Sequence, residues 1–263
     1  MPFEKIGLAI ADGIATVTLC DPATMNALSI PLQRELRAAL AIVSKDAGVR
    51  ALVLTSCERA FCSGADFGSM HGGGDETLGQ QVGRMMRELA NPIVLDLQRL
   101  PMPVVAAVNG AAAGAGVSLA LAADLVVAAR SAYFLLTFLP RLGLVPDLGA
   151  TWMLPRLVGR ARAMGMALLG ERLSAEQAVD WGLIWTCVDD DRLLAEAGTL
   201  AQRLAAMPRH AVLEARQAFA AAAGNSLEEQ LEYEAQRQQA LADTPAFQEG
   251  VRAFLEKRQP RFD

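Results

Sequence analysis

The sequence predicts an α/β protein in which a core of alternating strands and helices is followed by a region of helices alone. Three short apolar runs, at 50–55, 103–108 and 125–129, have the composition of buried strands. Helical patterns lie between and after these runs, and from Asp191 onward no further strand pattern occurs. Strands that alternate with helices and then give way to helices indicate an α/β core with a C-terminal helical subdomain.

This pattern divides the chain into two predicted units. Residues 1–200 are expected to form the α/β core that carries the ligand site, and residues 201–263 a helical subdomain used in oligomerisation. The helical pattern of the second unit is interrupted near Pro208, Gly224 and Pro245. These breaks predict several short helices rather than one long one.

The first predicted elements are a hairpin and a helix. Apolar runs flank Asp12-Gly13, a strong turn dipeptide, so residues 5–20 are predicted to form a β-hairpin. Ser29 followed by Pro31 marks the start of a helix, because serine suits the N-cap and proline suits the first turn.

The middle of the chain alternates loops, helices and strands. Residues 56–74 are polar and rich in glycine, which predicts a long loop, and residues 76–99 have a helical pattern. A helix of small residues is expected at 114–123. A longer helical pattern at 149–181 precedes a short strand at 183–188.

Composition and charge argue against a nucleic-acid partner and a membrane protein. The 263 residues are 52% hydrophobic and carry a net charge of −5, which leaves no electrostatic footprint for nucleic acid. The uncharged stretch from Pro101 to Ala123 is interrupted by Pro103 and Asn109, so it predicts a buried strand and helix rather than a membrane span. The N-terminus lacks the apolar core of a signal peptide, and we expect a cytoplasmic protein.

The cysteines and histidines do not predict a metal site. The four cysteines form no CxxC pair and no zinc-binding spacing, which predicts reduced thiols. Only two histidines, His71 and His210, are present, so a His-rich metal site is not expected and a His-based triad has few candidates.

Two glycine-containing loops are the first candidates for chemistry. Residues 61–67 (FCSGADF) follow a buried strand, where ligand-facing loops of α/β sheets lie, and Gly64 permits a tight turn or a close approach to a ligand. Residues 109–116 (NGAAAGAG) precede a helix, and such a position exposes N–H groups that favour negative charge. Each loop also fits a purely structural role, as a connection or as close packing of helix on strand.

The glycine spacing of the second loop also occurs in short-chain dehydrogenases, which bind a nicotinamide dinucleotide. That family places the pattern in its first strand–helix unit, whereas here it begins at Gly110. It also needs a Tyr-x3-Lys pair, and no lysine follows Tyr133 or Tyr233 at that spacing. A dehydrogenase is therefore a minor alternative.

Five motifs, in order and at matching spacing, resemble the crotonase (enoyl-CoA hydratase/isomerase) superfamily. They are FCSGAD at 61–66, AVNGAAAGAGVSLALAAD at 107–124, GLVPDLGATWMLPRLVG at 143–159, LLGERLSAEQAVDWGLI at 168–184 and FLEKR at 254–258. The resemblance covers nearly the whole chain. It implies a spiral of β-β-α units with a C-terminal helical region, a homotrimer or dimer of trimers, an acyl-CoA thioester substrate, and no cofactor beyond the coenzyme A of that substrate.

The same resemblance assigns site residues. Its oxyanion hole, in which two backbone amides hold the thioester oxygen, falls on Ala65 and Ala115. The substrate-binding positions expected from it are Ser63, Asp66, Phe67, Gly114 and Lys257. The last of these matches a basic position that meets the phosphates of coenzyme A, although a solvated helix end explains that lysine equally well.

The chain departs from the hydratase pattern at its acids. Enoyl-CoA hydratases use two glutamates to deliver a water molecule, and the matching positions here are Ser118 and Leu139. One carboxylate remains in the right stretch, that of Asp147, near the apolar Leu148 and Trp152. A carboxylate partly removed from water has a raised pKa and is a better general base. An aspartate just before a helix also suits a helix cap.

A single aspartate at this place resembles the isomerase branch of the superfamily, and in particular the ring-1,2-epoxyphenylacetyl-CoA isomerases. We expect Asp147 to remove a proton from the acyl chain and to return a proton at a different carbon. The Ala65 and Ala115 amides would hold the enolate oxygen. The result would be a shifted double bond or an expanded epoxide ring.

Two other functions stay open. A hydratase could recruit an acid elsewhere, such as Glu88 or Asp75, and a second carboxylate inside the pocket would favour it. A non-catalytic acyl-CoA-binding protein could use the same fold, and an Asp147 outside the pocket would favour that. The aromatic and apolar residues that could line an acyl pocket, but that suit the core equally well, are Phe67, Met70, Phe134 and Phe138.

Overall fold

A computed structural model describes residues 3–69 and 76–262 and confirms the α/β core with a helical C-terminal region. The strands of these residues are β1 Ile6–Ala11, β2 Ile14–Leu19, β3 Ala51–Ser56, β4 Ala60–Cys62, β5 Val104–Val108, β6 Ala111–Ala113, β7 Leu125–Ala129, β8 Tyr133–Leu135, β9 Leu173–Ser174 and β10 Thr186–Val188. The helices are α1 Ile30–Lys45, α2 Leu78–Met85, α3 Asn91–Arg99, α4 Ala115–Leu121, α5 Ala150–Leu169, α6 Ala175–Asp180, α7 Leu193–Ala205, α8 Arg209–Ala222, α9 Leu227–Ala242 and α10 Pro245–Leu255.

The strands form two sheets that share a spiral path. The larger sheet has the order β1-β2-β3-β5-β7-β10, antiparallel between β1 and β2 and parallel from β2 onward. The smaller sheet has the order β4-β6-β8-β9 and is parallel from β4 to β8. The chain passes from a strand of the large sheet to one of the small sheet and then into a helix, three times over. This is the β-β-α spiral that the motifs predict.

The hairpin and the first helix follow the local signals of the sequence. Asp12 and Gly13 both have positive φ, at 50° and 75°, as the central residues of a tight hairpin turn require. The Ser29 side chain accepts a hydrogen bond from the Leu32 amide and so caps α1. The buried face of α1 packs on β1, β2 and α3.

The predicted loops contain strands that the sequence pattern does not reveal. Strand β4 lies within the stretch 56–74, and β6 lies within 109–116. Each has only three residues, which is too short for an alternating pattern to be recognised. The predicted helical stretch 149–181 is likewise divided, because α5 ends at Gly170 in a left-handed conformation and β9 precedes α6.

Helix α7 connects the core to the helices that follow. Its buried residues Leu193, Ala197, Leu200 and Ala201 belong to the main hydrophobic core, and the helix packs on β3, β5 and β7. It therefore runs through residue 200, where the sequence places the boundary between the two units. The division into residues 1–200 and 201–263 stays a prediction.

Arginine side chains fasten the last helices to the core. Arg209, at the start of α8, donates hydrogen bonds to the carbonyls of Pro101 and Ala47. Arg216, about two turns further on, donates to the carbonyl of Leu97 and pairs with the partly buried carboxylate of Asp124 at 2.8 Å. Together these contacts hold α8 against the end of α3 and the start of β5.

Several large apolar side chains of the C-terminal helices are exposed in the single chain: Phe219, Leu227, Leu231, Phe254 and Leu255. Within residues 3–69 and 76–262, the structure contains no helix that combines the length and the apolar character needed to cross a membrane.

We expect Arg216→Met to destabilise the fold strongly. The Arg216 side chain is only 14% exposed, and its loss leaves the Asp124 carboxylate with the Val104 amide alone and removes the donor to several carbonyls. Removing the partner of partly buried acceptors in this way costs about 1–3 kcal/mol in free energy of unfolding, which urea denaturation measures. The control is Arg130→Met, because Arg130 pairs with Glu176 and Asp189 on the open surface and its loss should change little. Equal effects of the two substitutions would contradict this account of how α8 is held.

Candidate active site

The two candidate loops meet because β4 and β6 are neighbouring parallel strands. A side chain on Gly64, whose φ is 99°, would place its Cβ 2.8 Å from the Ala113 carbonyl oxygen and 3.3 Å from the Ala115 nitrogen. A Cβ at such a distance from backbone atoms does not fit. Glycine at this position therefore allows the backbone at 64–65 to lie directly against the backbone at 113–115.

A second glycine sets the distance between α4 and β4. A Cβ built on Gly116, in the first turn of α4, would lie 2.2 Å from the Cys62 carbonyl oxygen. No side chain fits there, so the helix start approaches β4 as closely as two backbones allow. The start of α4 is thereby fixed relative to the first loop.

The Ala65 and Ala115 amides are left without protein acceptors by this arrangement. Ala115 is the first residue of α4, so its N–H has no acceptor within the helix. The loop before Ala65 is held by the Leu28 amide, which donates to the Gly64 carbonyl at 2.7 Å. In the described parts of the chain, neither the Ala65 nor the Ala115 N–H donates a hydrogen bond. Both groups are free to stabilise a negative oxygen.

Both alanines line a narrow pocket of about 90 Å³. Its walls come from α1, from α2, from the π-helical turn Met86–Ala90 that follows α2, from the two loops and from the segment before α5. The lining residues are Leu28, Gln33, Ala65, Phe67, Val82, Met85, Met86, Ala90, Ala115, Leu144, Asp147 and Leu148. Gln33 and Asp147 are the two polar side chains of this set.

The backbone around Asp147 is held in a defined and strained conformation. Its carbonyl oxygen accepts hydrogen bonds from the Ser118 hydroxyl at 2.8 Å and from the Ala150 amide at 2.9 Å. The next residue, Leu148, has a φ of 50°, which is unfavourable for a residue with a branched side chain. Ser118, which occupies the position of a hydratase glutamate, therefore anchors the segment that carries the carboxylate.

The Asp147 carboxylate lies in the pocket and is poorly solvated. Its Oδ1 atom is buried and accepts no hydrogen bond in the described structure. Burial raises the pKa of Asp147 to about 6, against a smaller opposing contribution from its own backbone N–H. The side chain does not cap α5, because the N-cap of that helix is Gly149 and no side chain bonds its first amides. Asp147 has the properties of a general base rather than of a helix cap.

Four of the five predicted substrate-binding residues, Ser63, Asp66, Gly114 and Lys257, are absent from the pocket lining. Ser63 donates to the Thr24 carbonyl at 2.9 Å, Asp66 accepts from the Gly68 amide at 3.0 Å, and Gly114 precedes α4 with a φ of 52°. Phe67 does line the pocket, as expected. Lys257 is exposed just beyond α10 and is not among the lining residues.

The alternative acids do not join Asp147 within the described residues. The Glu88 side chain is 61% exposed, pairs with Arg84 at 3.6 Å and does not line the pocket. Leu139, at the second hydratase position, is also exposed and is absent from the lining. Asp75 lies outside the described residues.

The candidate residues for the acyl pocket differ in whether they line it. Of the aromatic candidates, only Phe67 lines the pocket, whereas Phe134 and Phe138 are buried in the core. Met70 lies outside the described residues. Trp152, which was expected beside Asp147, is half exposed on α5 and is absent from the lining.

Sequence reasoning missed Gln33 and the wall formed by α2 and the turn after it. Gln33 lies on the buried face of α1, three residues before Leu36 and seven before Leu40. A polar residue at that position of an apolar stripe is a detectable signal, because a buried polar group needs a reason. The α2 wall gives no such signal, since its apolar residues resemble any core-facing stripe.

Comparison with known proteins agrees with this geometry. The sequence profile of the family described as "Enoyl-CoA hydratase/isomerase" matches residues 9–263. The chain belongs to the enoyl-CoA hydratase/isomerase family. It is therefore an enzyme of the crotonase type, whose substrates are acyl-CoA thioesters.

Individual relatives of this hydratase/isomerase match it over almost its whole length. The 1,2-epoxyphenylacetyl-CoA isomerase of Escherichia coli is 44% identical over 96% of this chain and 96% of its own. A protein of Rhodobacter capsulatus described as a "probable enoyl-CoA hydratase" is 47% identical over 100% of this chain and 99% of its own. The crystal structure of an enoyl-CoA hydratase from Bacillus anthracis, 32% identical, superimposes with a TM-score of 0.90 over 98% of this chain and 99% of that one.

The close approach at Gly116 yields a direct test. We expect Gly116→Ala to force α4 away from β4, because the new Cβ overlaps the Cys62 carbonyl. A shift of about 1 Å in an active site can cost ~10²-fold in rate, so acyl-CoA turnover should fall by at least that factor, together with the melting temperature.

The matched control is Gly165→Ala on α5, where a new Cβ meets nothing within 4 Å. Alanine in a helix is favoured over glycine by about 0.5–1 kcal/mol, so this variant should be as stable as the wild type or more so, with unchanged turnover. Wild-type turnover in Gly116→Ala would disprove the proposed spacing.

Proposed function

We propose that this family member is an acyl-CoA isomerase in which Asp147 moves a proton between two carbons of the acyl group. The observation that carries the proposal is the position of one desolvated carboxylate in an apolar pocket that also contains the free Ala65 and Ala115 amides. A base and a pair of oxyanion donors are the parts that enolate chemistry needs.

The proposed reaction proceeds in two proton transfers. The thioester oxygen accepts hydrogen bonds from the Ala65 and Ala115 amides. Asp147 takes a proton from carbon 2 of a 3-enoyl-CoA, and the electron pair of the broken C–H bond delocalises onto the thioester oxygen and, through the double bond between carbons 3 and 4, onto carbon 4. The protonated Asp147 then gives a proton to carbon 4, so that the double bond moves to carbons 2 and 3 and the carboxylate is regenerated.

The proposed reaction needs no redox or metal chemistry. One proton leaves carbon 2, one proton is added to carbon 4, and the substrate neither gains nor loses electrons. We therefore propose that the enzyme uses no cofactor, and that coenzyme A enters only as part of the substrate. Exposed Lys257 is proposed to meet the phosphates of coenzyme A, and the exposed apolar residues of the C-terminal helices are proposed to be covered in a trimer or a dimer of trimers.

The pKa of Asp147 suits both proton transfers of the proposed reaction. With a pKa of about 6, about nine-tenths of the carboxylates are ionised at pH 7 and can accept a proton. The protonated form, with a pKa of about 6, is still a far stronger acid than water and can give its proton to the enolate. An ordinary aspartate would be a weaker base, because general-base efficiency rises as the pKa approaches the working pH.

The carboxylate arrangement favours isomerisation over hydration. Hydration needs a positioned water and a second acid, and the hydratase positions hold Ser118, bonded to the Asp147 carbonyl, and exposed Leu139. The resemblance to the Escherichia coli isomerase supports the same choice and suggests an epoxidised aromatic acyl group as one substrate. Hydration is the second candidate, because the Rhodobacter capsulatus relative has a hydratase description. A non-catalytic binder has no use for a desolvated Asp147 in the pocket.

The first test compares wild type with Asp147→Asn on three substrates: crotonyl-CoA, a 3-enoyl-CoA and enzymatically generated 1,2-epoxyphenylacetyl-CoA. We expect the wild type to isomerise the second or third without hydrating the first. Asparagine keeps the shape but cannot exchange the proton, so isomerisation should fall at least ~10²-fold. The control is Glu88→Gln, since exposed Glu88 lies outside the pocket and its loss should leave the rate unchanged.

The pH dependence of this activity reports on the same group. Because the pKa of Asp147 is raised to about 6, the base is lost as the pH falls through 6, and kcat/KM should drop about tenfold per pH unit below that value. An aspartate with an ordinary pKa would place this fall in kcat/KM near pH 4.

Crotonyl-CoA hydration that survives in Asp147→Asn would refute the Asp147 mechanism and favour the hydratase.

A further inference from the structure

Gln33 is a polar side chain in the pocket wall that the proposed reaction does not use. The residue is 4% exposed, and its Nε2 donates to the Leu28 carbonyl at 2.6 Å. Its Oε1 atom is buried and accepts no hydrogen bond in the described parts of the chain. The opposite amide orientation would bring Oε1 against the Leu28 carbonyl oxygen, so the Leu28 contact fixes which end is left without a partner.

A buried acceptor in an apolar pocket needs a donor, because buried polar groups in proteins are nearly always hydrogen-bonded. The other lining side chains are those of alanine, leucine, valine, methionine and phenylalanine, which donate nothing, and of Asp147. Asp147 is itself an acceptor when ionised, and its Oδ1 is also unpartnered. The Ala65 and Ala115 amides are occupied by the thioester oxygen in the proposed reaction. The donor must therefore enter the pocket from outside.

We propose that Gln33 is a specificity-determining residue whose Oε1 accepts a hydrogen bond from an O–H group in the acyl pocket. The O–H belongs to a hydroxyl on the acyl group, and a water molecule takes its place when the acyl group has none. The proposal rests on the proposed function, since it assumes that the acyl group of a coenzyme A thioester occupies this pocket. It goes beyond that function by naming the acyl groups that the enzyme prefers.

The two ends of Gln33 have separable effects. Through Nε2 it holds Leu28, whose own amide donates to the Gly64 carbonyl next to Ala65. Loss of this contact would disturb the oxyanion donors and weaken all acyl-CoA ligands alike. Loss of the Oε1 acceptor would weaken only ligands with an O–H group. A ratio of affinities for two matched ligands therefore isolates the second effect.

The experiment measures binding of saturated thioesters, which cannot be isomerised, by calorimetry. The ligands are butyryl-CoA, 3-hydroxybutyryl-CoA and 4-hydroxybutyryl-CoA, and the proteins are wild type, Gln33→Met and Gln33→Glu. We expect one hydroxylated ligand to bind wild type about tenfold more tightly than butyryl-CoA, which corresponds to one net hydrogen bond. In Gln33→Met this preference should fall to about one.

Gln33→Glu is the conservative variant. Burial raises the pKa of a carboxyl group, so the new side chain is expected to be protonated. It can then donate through its O–H to the Leu28 carbonyl and keep its other oxygen as the acceptor. The preference should return in this variant, and the crystal structures of the wild type with its ligands decide the question if Gln33→Met does not fold.

Crystal structures with butyryl-CoA and with the hydroxylated ligand distinguish the two sources of the O–H group. A ligand hydroxyl within about 3.2 Å of Oε1 supports the proposal, whereas an ordered water there with both ligands would mean that Gln33 selects no acyl group and would overturn it. A hydroxyl preference that persists in Gln33→Met would overturn the proposal. Equal binding of all ligands with no O–H at Oε1 would also overturn it, while leaving the proposed function intact. Failure of every thioester to bind would overturn both.

Discussion

The active site depends on the direct contact of two backbones, at the end of β4 and the start of α4. Gly64 and Gly116 make the contact possible, since a Cβ on either would overlap a carbonyl oxygen of the opposite segment. The contact brings together the Ala65 and Ala115 amides, which come from loops about fifty residues apart in sequence. The large sheet, the small sheet and the helices that cover them serve to hold these two segments in register. Because the donors are backbone groups, their position is set by packing and not by side-chain choice.

The Asp147 carboxylate, which we propose as the base, is also positioned through its backbone. Ser118 fixes the backbone of Asp147 and leaves its carboxylate in the pocket with a buried, unpartnered oxygen. An unpartnered carboxylate and the strained Leu148 beside it both oppose folding, so the surrounding core must offset them. Ser118 and the exposed Leu139 stand at the two positions that resemble those of the hydratase glutamates, so among these three positions only that of Asp147 holds a carboxylate. In the proposed reaction this one carboxylate carries the proton.

Much of this arrangement could be predicted from the sequence, for identifiable reasons. Strands β3, β5 and β7 are continuous apolar runs, and the motifs around Ala65, Ala115 and Asp147 have few structural alternatives once they occur together. The three-residue strands of the small sheet were missed because they are too short to show a period. Gln33 was missed because the pocket that it lines also needs residues of α2 and of the turn after it, which lie near Gln33 only in the folded chain. The role of Lys257 stays a prediction, since the lysine is exposed and lines no part of the pocket.

The central proposal is that Asp147 removes a proton from the acyl group of the substrate and that two backbone amides stabilise the resulting thioester enolate. Deuterium exchange into carbon 2 of phenylacetyl-CoA in heavy water, followed by NMR, tests this step without requiring a complete reaction. The account predicts that the wild-type enzyme accelerates the exchange far above the rate in buffer and that Asp147→Asn does not. Exchange at the wild-type rate in Asp147→Asn, or no exchange by a wild-type enzyme that binds the thioester, would contradict it.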